Sequence, residues 1–221
     1  MRLIKLSLAA AVLSTGLVTA QASEVGVSAN MALTSNYVWR GMTQTHESPA
    51  IQGGIDVDYM GVYAGVWASN ISWTETVESS LEADLYAGYA NSIGDFSYDV
   101  GFIAYTYANV MDEMNFGEAY VGLGYDFGVL SVGASYALGV SIGDWDDVPD
   151  NIEGSISVPL PMDITFDAAY GMYDTVGDYY SASVGKSFGK FDVSLGYAGM
   201  MWEDSDADDE GNFIATIGTS F

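Results

Sequence analysis

The sequence of 221 residues has no cysteine, one histidine and only five lysine or arginine residues, against 30 aspartate or glutamate residues. Without cysteine, disulfide bonds cannot stabilise the fold. The formal net charge of −25 excludes nucleic acid as a partner, because phosphate binding needs a basic patch. The lone His46 cannot build a histidine-rich metal site, and no serine stands at a known catalytic spacing from it. We therefore predict no catalytic residues, no cofactor and no enzymatic activity.

Long apolar runs are missing too, except at the N-terminus. Residues 1–22 begin with Arg2 and Lys5, continue through an apolar stretch and end in Ala20-Gln21-Ala22. This pattern predicts a secretory signal peptide that is removed after Ala22, so that the protein is exported. The remaining residues, 23–221, keep three basic residues against 30 acids and hold no apolar run of 18 residues, which excludes a membrane-spanning helix. We expect one domain over 23–221, and any membrane crossing must be made by strands.

In place of long apolar runs, the chain has segments in which apolar and polar residues alternate. Ile51, Ile55 and Val57 share one parity, and Asp56 and Asp58 share the other, so this segment has an apolar face and an acidic face. The same alternation recurs to the C-terminus. It predicts twelve strands, over residues 25–40, 49–60, 62–72, 80–92, 96–108, 117–126, 129–140, 151–159, 163–173, 178–188, 191–202 and 212–221.

The connections between these strands are alternately short and long. The short ones centre on Gly61, Gly94, Gly128, Pro161 and Gly189, and the long ones are polar and acidic. Short turns at one end and long loops at the other are typical of an outer-membrane barrel. We therefore predict an all-β protein, a transmembrane antiparallel β-barrel of 12 strands in the Gram-negative outer membrane. A soluble β-sandwich is the structural alternative, and it would show no systematic difference in loop length.

The first strands also carry a family resemblance. Residues 36–41 (NYVWRG), 49–54 (PAIQGG) and 62–70 (VYAGVWASN) resemble the start of the proteobacterial TorF-type porin family, a set of outer-membrane proteins of unknown function. The resemblance implies an outer-membrane barrel and a channel, and it brings no substrate or catalytic residue. The terminal Phe221 resembles the C-terminal signal that the barrel-assembly machinery recognises.

Strand parity predicts which charged side chains face the lumen. A charge facing lipid at mid-depth costs a few kcal/mol, so the acids on the polar parity are predicted to point inward. They are Asp56, Asp58, Glu82, Asp84, Asp99, Glu118, Asp126, Glu153, Asp167 and Asp192. Such a wall attracts cations and repels anions, unless the barrel is plugged by its own side chains. Arg40 shares the inward parity near the outer mouth, either as a structural ion pair or as a cation that shapes a constriction.

One long connection carries a different acidic pattern. Asp204, Asp206 and Asp208 alternate as oxygen donors do in calcium loops, but the glycine expected at the sixth position is Asp209. The pattern favours weak divalent-cation binding over a specific calcium site, and a solvated surface is the simpler interpretation.

From these features we predict a porin-like channel for passive diffusion of small cationic or neutral solutes through an acidic lumen. The alternative is a structural or adhesive outer-membrane barrel with a plugged lumen, which acts through acidic, divalent-cation-binding loops. The partners expected in both cases are outer-membrane lipid and lipopolysaccharide, with small solutes in the first.

Overall fold

The computed structural model describes residues 24–73, 79–108, 114–204 and 206–221. The predicted signal peptide, residues 1–22, lies outside the described residues. The strands are β1 (Gly26–Thr34), β2 (Val38–Trp39), β3 (Met42–Thr43), β4 (Ala50–Tyr59), β5 (Val62–Asn70), β6 (Leu81–Ile93), β7 (Phe96–Tyr107), β8 (Phe116–Asp126), β9 (Ser131–Ser141), β10 (Asn151–Leu160), β11 (Ile164–Tyr173), β12 (Gly177–Phe188), β13 (Phe191–Trp202) and β14 (Glu210–Ser220).

Twelve of these strands form one closed antiparallel barrel, in the order β1, β14, β13 and so on down to β4, which pairs with β1 again. The predicted fold class and strand number are therefore confirmed. β2 and β3 form a separate small hairpin that is not part of the barrel wall. The helical structure in the described part is limited to short 3-10 turns, such as Pro161–Asp163 between β10 and β11.

The seam between β1 and β14 closes the sheet. Ala29 and Phe221 exchange both backbone hydrogen bonds, at 3.3 and 2.8 Å, and the two strands pair from Asn30–Ser220 to Thr34–Thr216. Closure removes the row of unpaired amides and carbonyls that an edge strand would present. Hydrocarbon offers such groups no hydrogen-bond partner, so only a closed sheet can lie in it.

The two faces of the wall differ as alternation requires. Apolar side chains such as Val27, Leu85 and Phe213 are exposed on the outside. The inside carries glycine, serine, threonine, tyrosine and the acids. β5, in which neither parity is polar, follows the rule as well: Tyr63 and Trp67 face the lumen and the flanking valines face out. No helix in the described ranges is long and apolar enough to span a membrane.

The barrel has a turn end and a loop end. At the turn end the connections are short, and Gly61 and Gly189 have φ of 89° and 67°, a conformation that glycine adopts without strain. Both described termini, the start of β1 and the end of β14, lie at this end. The long connections, which begin with residues 35–49, lie at the loop end.

The first strand departs from the prediction. It was expected to continue to residue 40, but β1 ends at Thr34, and residues 35–49 turn into the barrel mouth. We call residues 35–49 the inward loop. Its Tyr37 and Trp39 pack inside the barrel with Trp67, Tyr105 and other lumen residues. The alternation across residues 35–40 is thus not that of a barrel strand.

The seam gives the first testable prediction. A Cβ on residue 218 would lie 3.5 Å from the Cβ of Ala32, which suits a disulfide. In this cysteine-free chain, Ala32→Cys with Gly218→Cys should cross-link on mild oxidation. The product should migrate faster on a denaturing, non-reducing gel, because a loop of nearly the whole chain is closed.

The matched control is Ala32→Cys with Asp192→Cys. Asp192 pairs with Gly218 on the far side of β14, roughly 10 Å from Ala32. It should not cross-link. Equal cross-linking of both pairs, or of neither, would contradict the closed register.

Candidate functional site: the lumen and its inward loop

The ten predicted acids all lie on the inward parity, but their surroundings differ. Four are buried: Glu82, Asp84, Asp99 and Glu118. Five are half-buried, namely Asp56, Asp58, Glu153, Asp167 and Asp192, and Asp126 is exposed beside a turn. Glu82, Asp84 and Glu118 lie toward the loop end of their strands, and Asp58, Asp126 and Asp192 lie at the turn end. The wall is thus most enclosed on the loop side.

Tyrosines supply many of the hydrogen bonds to these acids. The Tyr63 hydroxyl donates to Asp99 Oδ1 at 2.8 Å and also contacts the Tyr120 hydroxyl. The Tyr86 hydroxyl donates to Asp56 Oδ1 at 2.5 Å. These contacts form a polar belt across β4 to β8. Tyr86 and Tyr120 share the parity of the inward acids on their own strands, but the pairing of tyrosines with acids two strands away has no signal in the sequence.

Glycine on the neighbouring strand lets these tyrosines lie flat along the wall. Tyr86 is opposite Gly65, and Tyr120 is opposite Gly101. A Cβ at Gly65 would stand 2.5 Å from the Tyr86 ring, and one at Gly101 would stand 2.4 Å from the Tyr120 hydroxyl. Glycine is therefore required at both positions, because a side chain there would collide with the tyrosine that lies against the barrel wall.

Arg40 is held at the centre of the loop end. It occupies the turn between β2 and β3, with φ of 48°. Its two terminal nitrogens donate to Glu118 Oε1 and Oε2 at 2.7 and 2.9 Å, in the forked geometry that guanidinium and carboxylate favour. The guanidinium also lies 4.3 Å from the Trp39 ring centre and 4.7 Å from that of Tyr173. Both partners of the ion pair are buried, with side-chain exposures of 7% and 2%.

The inward loop is also attached to the opposite wall. Asn212 Nδ2 on β14 donates to the Gly41 carbonyl at 3.2 Å, and Asn36 Nδ2 donates to Asn212 Oδ1 at 3.0 Å. The amide of Thr43 donates to Glu210 Oε2 at 3.0 Å. Since Glu118 lies on β8, the inward loop crosses the mouth from β14 to the far side of the barrel.

Gly41 fixes how close this crossing comes to β13. A Cβ at Gly41 would stand 2.2 Å from the carbonyl oxygen of Gly199, and its φ is 81°. Both the space and the conformation therefore require glycine at this position.

Aromatic rings fill the space around the crossing. Trp39 stands edge-on to Tyr105 at 5.8 Å and to Tyr173 at 5.6 Å, and Phe116 lies 6.1 Å away. Ring pairs at these distances contribute attraction beyond burial. The inward loop and its aromatic neighbours therefore pack together within the loop end, whereas the acids nearer the turn end are partly or fully exposed.

The predicted divalent-binding loop has no comparable structure. Asp204, Asp206 and Asp208 are exposed, and the Asp206 amide donates to Asp204 Oδ1 at 3.0 Å in a local turn. In the described part of the chain, no three histidine, cysteine, aspartate or glutamate side chains are grouped to hold a metal ion. Weak binding there remains a prediction that rests on charge alone.

Comparison with known proteins supports the architecture. A profile of the bacterial family Gcw_chp, described as a bacterial protein of unknown function, matches residues 19–218. No curated protein matches the chain.

Three solved structures show the same fold. The KdgM porin gives a TM-score of 0.61 at 11% identity, over 88% of this chain and 98% of the porin. The NanC porin gives 0.55 at 13% identity, over 89% and 99%. The outer membrane phospholipase A from Escherichia coli gives 0.50 at 10% identity, over 88% and 89%. Porins and an enzyme thus share this barrel, so the fold alone does not decide the activity.

The Arg40–Glu118 pair gives the second prediction. Glu118→Gln should lower the free energy of unfolding by about 3–5 kcal/mol, because it leaves a buried guanidinium without its counter-charge. Arg40→Met combined with Glu118→Leu should recover most of that loss. Urea titration of the barrel in detergent micelles measures both.

Asp192→Asn is the matched control. Its carboxylate is half-buried and accepts a hydrogen bond from Ser187 Oγ at 2.5 Å, which asparagine can still accept. A change of less than about 1 kcal/mol is expected. If Glu118→Gln is no more destabilising than this control, the ion pair does not hold the inward loop.

Proposed function

The chain belongs to the Gcw_chp family of bacterial proteins, and we propose that it is an outer-membrane, porin-like channel for small cationic or neutral solutes. The observation that carries the proposal is the charge of the lumen. Strand parity assigns ten carboxylates to it, whereas in the described part of the chain Arg40 is the only basic residue assigned to its inner side and is already paired with Glu118. Lys186 and Lys190, the other basic residues after residue 22, belong to the turn end, where Lys186 Nζ donates to the Met162 carbonyl at 2.7 Å.

The acids nearest the turn end would act on a permeating ion. Asp58, Asp167 and Asp192 stand on three separated strands and keep partial exposure to water. Carboxylates around a narrow aqueous path raise the local concentration of cations and lower that of anions. The proposed mechanism is passive diffusion, biased by this potential.

The conformation described here is the closed state of the proposed channel. Trp39 and Arg40 stand across the loop end, so passage requires the inward loop to move away from Glu118 and from Asn212. Such loop rearrangements occur on nanosecond to microsecond or slower timescales. In this proposal the Arg40–Glu118 pair sets how often the channel opens.

A structural barrel with a plugged lumen is the second candidate, and the packing of the loop end favours it. In that case the barrel would act through its exposed acidic loops, including Asp204, Asp206 and Asp208, with divalent cations and lipopolysaccharide as partners. We assign no enzymatic role in either case, since His46 is exposed on the inward loop and the hydroxyl of the nearby Ser48 donates to the His46 backbone carbonyl.

Family and cellular partners follow from the same proposal. The resemblance of residues 36–70 to the TorF-type porins agrees with the porin-like fold, and we propose that the chain is of that type. Export by the N-terminal segment, insertion by the barrel-assembly machinery through Phe221, and contact of the apolar outer wall with lipid complete the proposed route.

Selectivity is the third prediction. Each lumen carboxylate contributes about 1 kcal/mol to the energy of an ion a few ångströms away. Several together should favour cations over anions by about tenfold or more, since about 1.4 kcal/mol corresponds to tenfold. Reversal potentials across planar bilayers under a salt gradient measure the ratio, and raising the salt should reduce it.

The variant Asp58→Asn with Asp167→Asn and Asp192→Asn should lower the cation preference severalfold. The matched control, Asp204→Asn with Asp206→Asn and Asp208→Asn, removes three charges from an exposed loop and should change it little. Anion preference of the wild-type protein, or equal effects of the two variants, would overturn the lumen as the source of selectivity.

Gating is the fourth prediction. Replacing residues 38–43 with two glycines removes Trp39 and Arg40 from the mouth, and the single-channel conductance or the open fraction should rise severalfold. A folded deletion variant is recognised by heat-modifiable migration on gels. No current from such a folded variant would contradict the channel and favour the plugged barrel.

A further inference from the structure

Two buried acids near the loop end leave carboxylate oxygens without a hydrogen-bond partner in the described part of the chain. Glu82 and Asp84 both point inward from β6, with exposures of 2% and 0%. These unpartnered atoms are both carboxylate oxygens of Asp84 and the Oε2 of Glu82, as far as the described chain shows. A buried carboxylate without partners is costly, so a buried group of this kind is expected to meet a compensating ligand.

A third oxygen comes to these acids from a different element. Tyr37 of the inward loop is 2% exposed, and its hydroxyl also has no hydrogen-bond partner among the described residues. Its ring packs against Trp67, the residue directly opposite Asp84 on the neighbouring strand, so Tyr37 is placed beside β6. A tyrosine hydroxyl is neutral at physiological pH and offers oxygen lone pairs there.

The position of Tyr37 is fixed by packing. Its ring stands edge-on to the Trp67 ring at a centroid distance of 5.4 Å, and Trp67 is directly opposite Asp84 on β5. The Tyr37 amide donates to Thr45 Oγ1 at 3.0 Å within the inward loop. The hydroxyl is thus held over β6 as long as the inward loop is in place.

Arg40, the basic residue at the loop end, does not neutralise Glu82 and Asp84. Both terminal nitrogens of Arg40 are used by Glu118. The other basic residues after residue 22, Lys186 and Lys190, belong to the turn end. Two carboxyl groups and one hydroxyl therefore lie in an enclosed place where no basic side chain of the described chain is free to pair with them, and one divalent cation would balance the two carboxylates.

We propose that Glu82, Asp84 and the hydroxyl of Tyr37 bind a hard divalent cation beneath the inward loop. Carboxylate and hydroxyl oxygens suit calcium or magnesium, and calcium tolerates an irregular ligand set, whereas magnesium requires near-octahedral geometry. Bidentate carboxylates would supply four of the calcium ligands. The cation joins β6 to the inward loop, so it stabilises the closed mouth. The site does not depend on whether the barrel conducts.

The experiment uses the full mature chain folded in detergent micelles and stripped of metal with a chelator. Terbium(III) serves as the calcium probe, because Trp67 and Tyr37 are near enough to sensitise its luminescence. We expect sensitised emission that calcium displaces, and a thermal transition that rises with added calcium. Glu82→Gln with Asp84→Asn should lower the apparent affinity at least tenfold and remove the thermal response.

The matched control is again the exposed-loop variant, Asp204→Asn with Asp206→Asn and Asp208→Asn, which should keep the displaceable emission. Tyr37→Phe removes only the hydroxyl and should weaken binding severalfold without loss of fold. Heat-modifiable migration shows that each variant has formed the barrel.

Three outcomes overturn the site. One is the absence of displaceable emission at millimolar calcium, which would leave a proton or water to compensate the acids. Another is binding that survives Glu82→Gln with Asp84→Asn, and the third is binding that disappears with the exposed-loop variant. Because the readouts are emission and melting, they are independent of the reversal potentials that test the channel.

Discussion

The constraint on which the structure depends is that a sheet placed in hydrocarbon must leave no backbone group unpaired. The hydrogen bonds between Ala29 and Phe221 meet this constraint by closing β1 on β14. Because the sheet is closed, one face of every strand contacts lipid and the other lines the lumen. Shifting a strand by one residue would exchange the side chains on these two faces. The acids must then share the inward parity, and a small barrel brings them close to one another.

Crowded acids in a narrow space need partners, and the barrel supplies different ones along its axis. In the middle, tyrosines that lie flat against glycines donate to Asp56 and Asp99. At the loop end, one guanidinium between two rings satisfies Glu118. At the turn end, serine hydroxyls donate to Asp167 and Asp192, and these acids also keep contact with water. Gly65 and Gly101, and the tyrosines that lie against them, are therefore linked to the hydrogen bonding of the lumen acids.

The barrel strands could be predicted from the sequence, because the alternation of inward and outward side chains is a local property of each strand. The twelve strands, the short turns and the inward parity of Asp84 or Glu118 need only the period of two. The inward loop could not be predicted this way. Tyr37, Trp39 and Arg40 lie within three residues of one another, yet their partners, Trp67, Tyr173 and Glu118, are between 30 and 134 residues away. Such contacts depend on the diameter and stagger of the closed barrel, which no local pattern contains.

The consequence of this arrangement is an asymmetry along the lumen. In the proposed channel, a cation that enters from the turn end would meet the partly exposed carboxylates first, where attraction would require little loss of water. Farther in, the acids are already bonded to tyrosines, and at the loop end Arg40 and its partner Glu118 stand in the path. In the proposed channel, moving the inward loop would take Arg40 away and expose Glu118 in the same step, so the mouth would lose its steric block and gain a free carboxylate. The size and the charge of the mouth would then be controlled by one element, because Arg40 and Trp39 are neighbours in the chain.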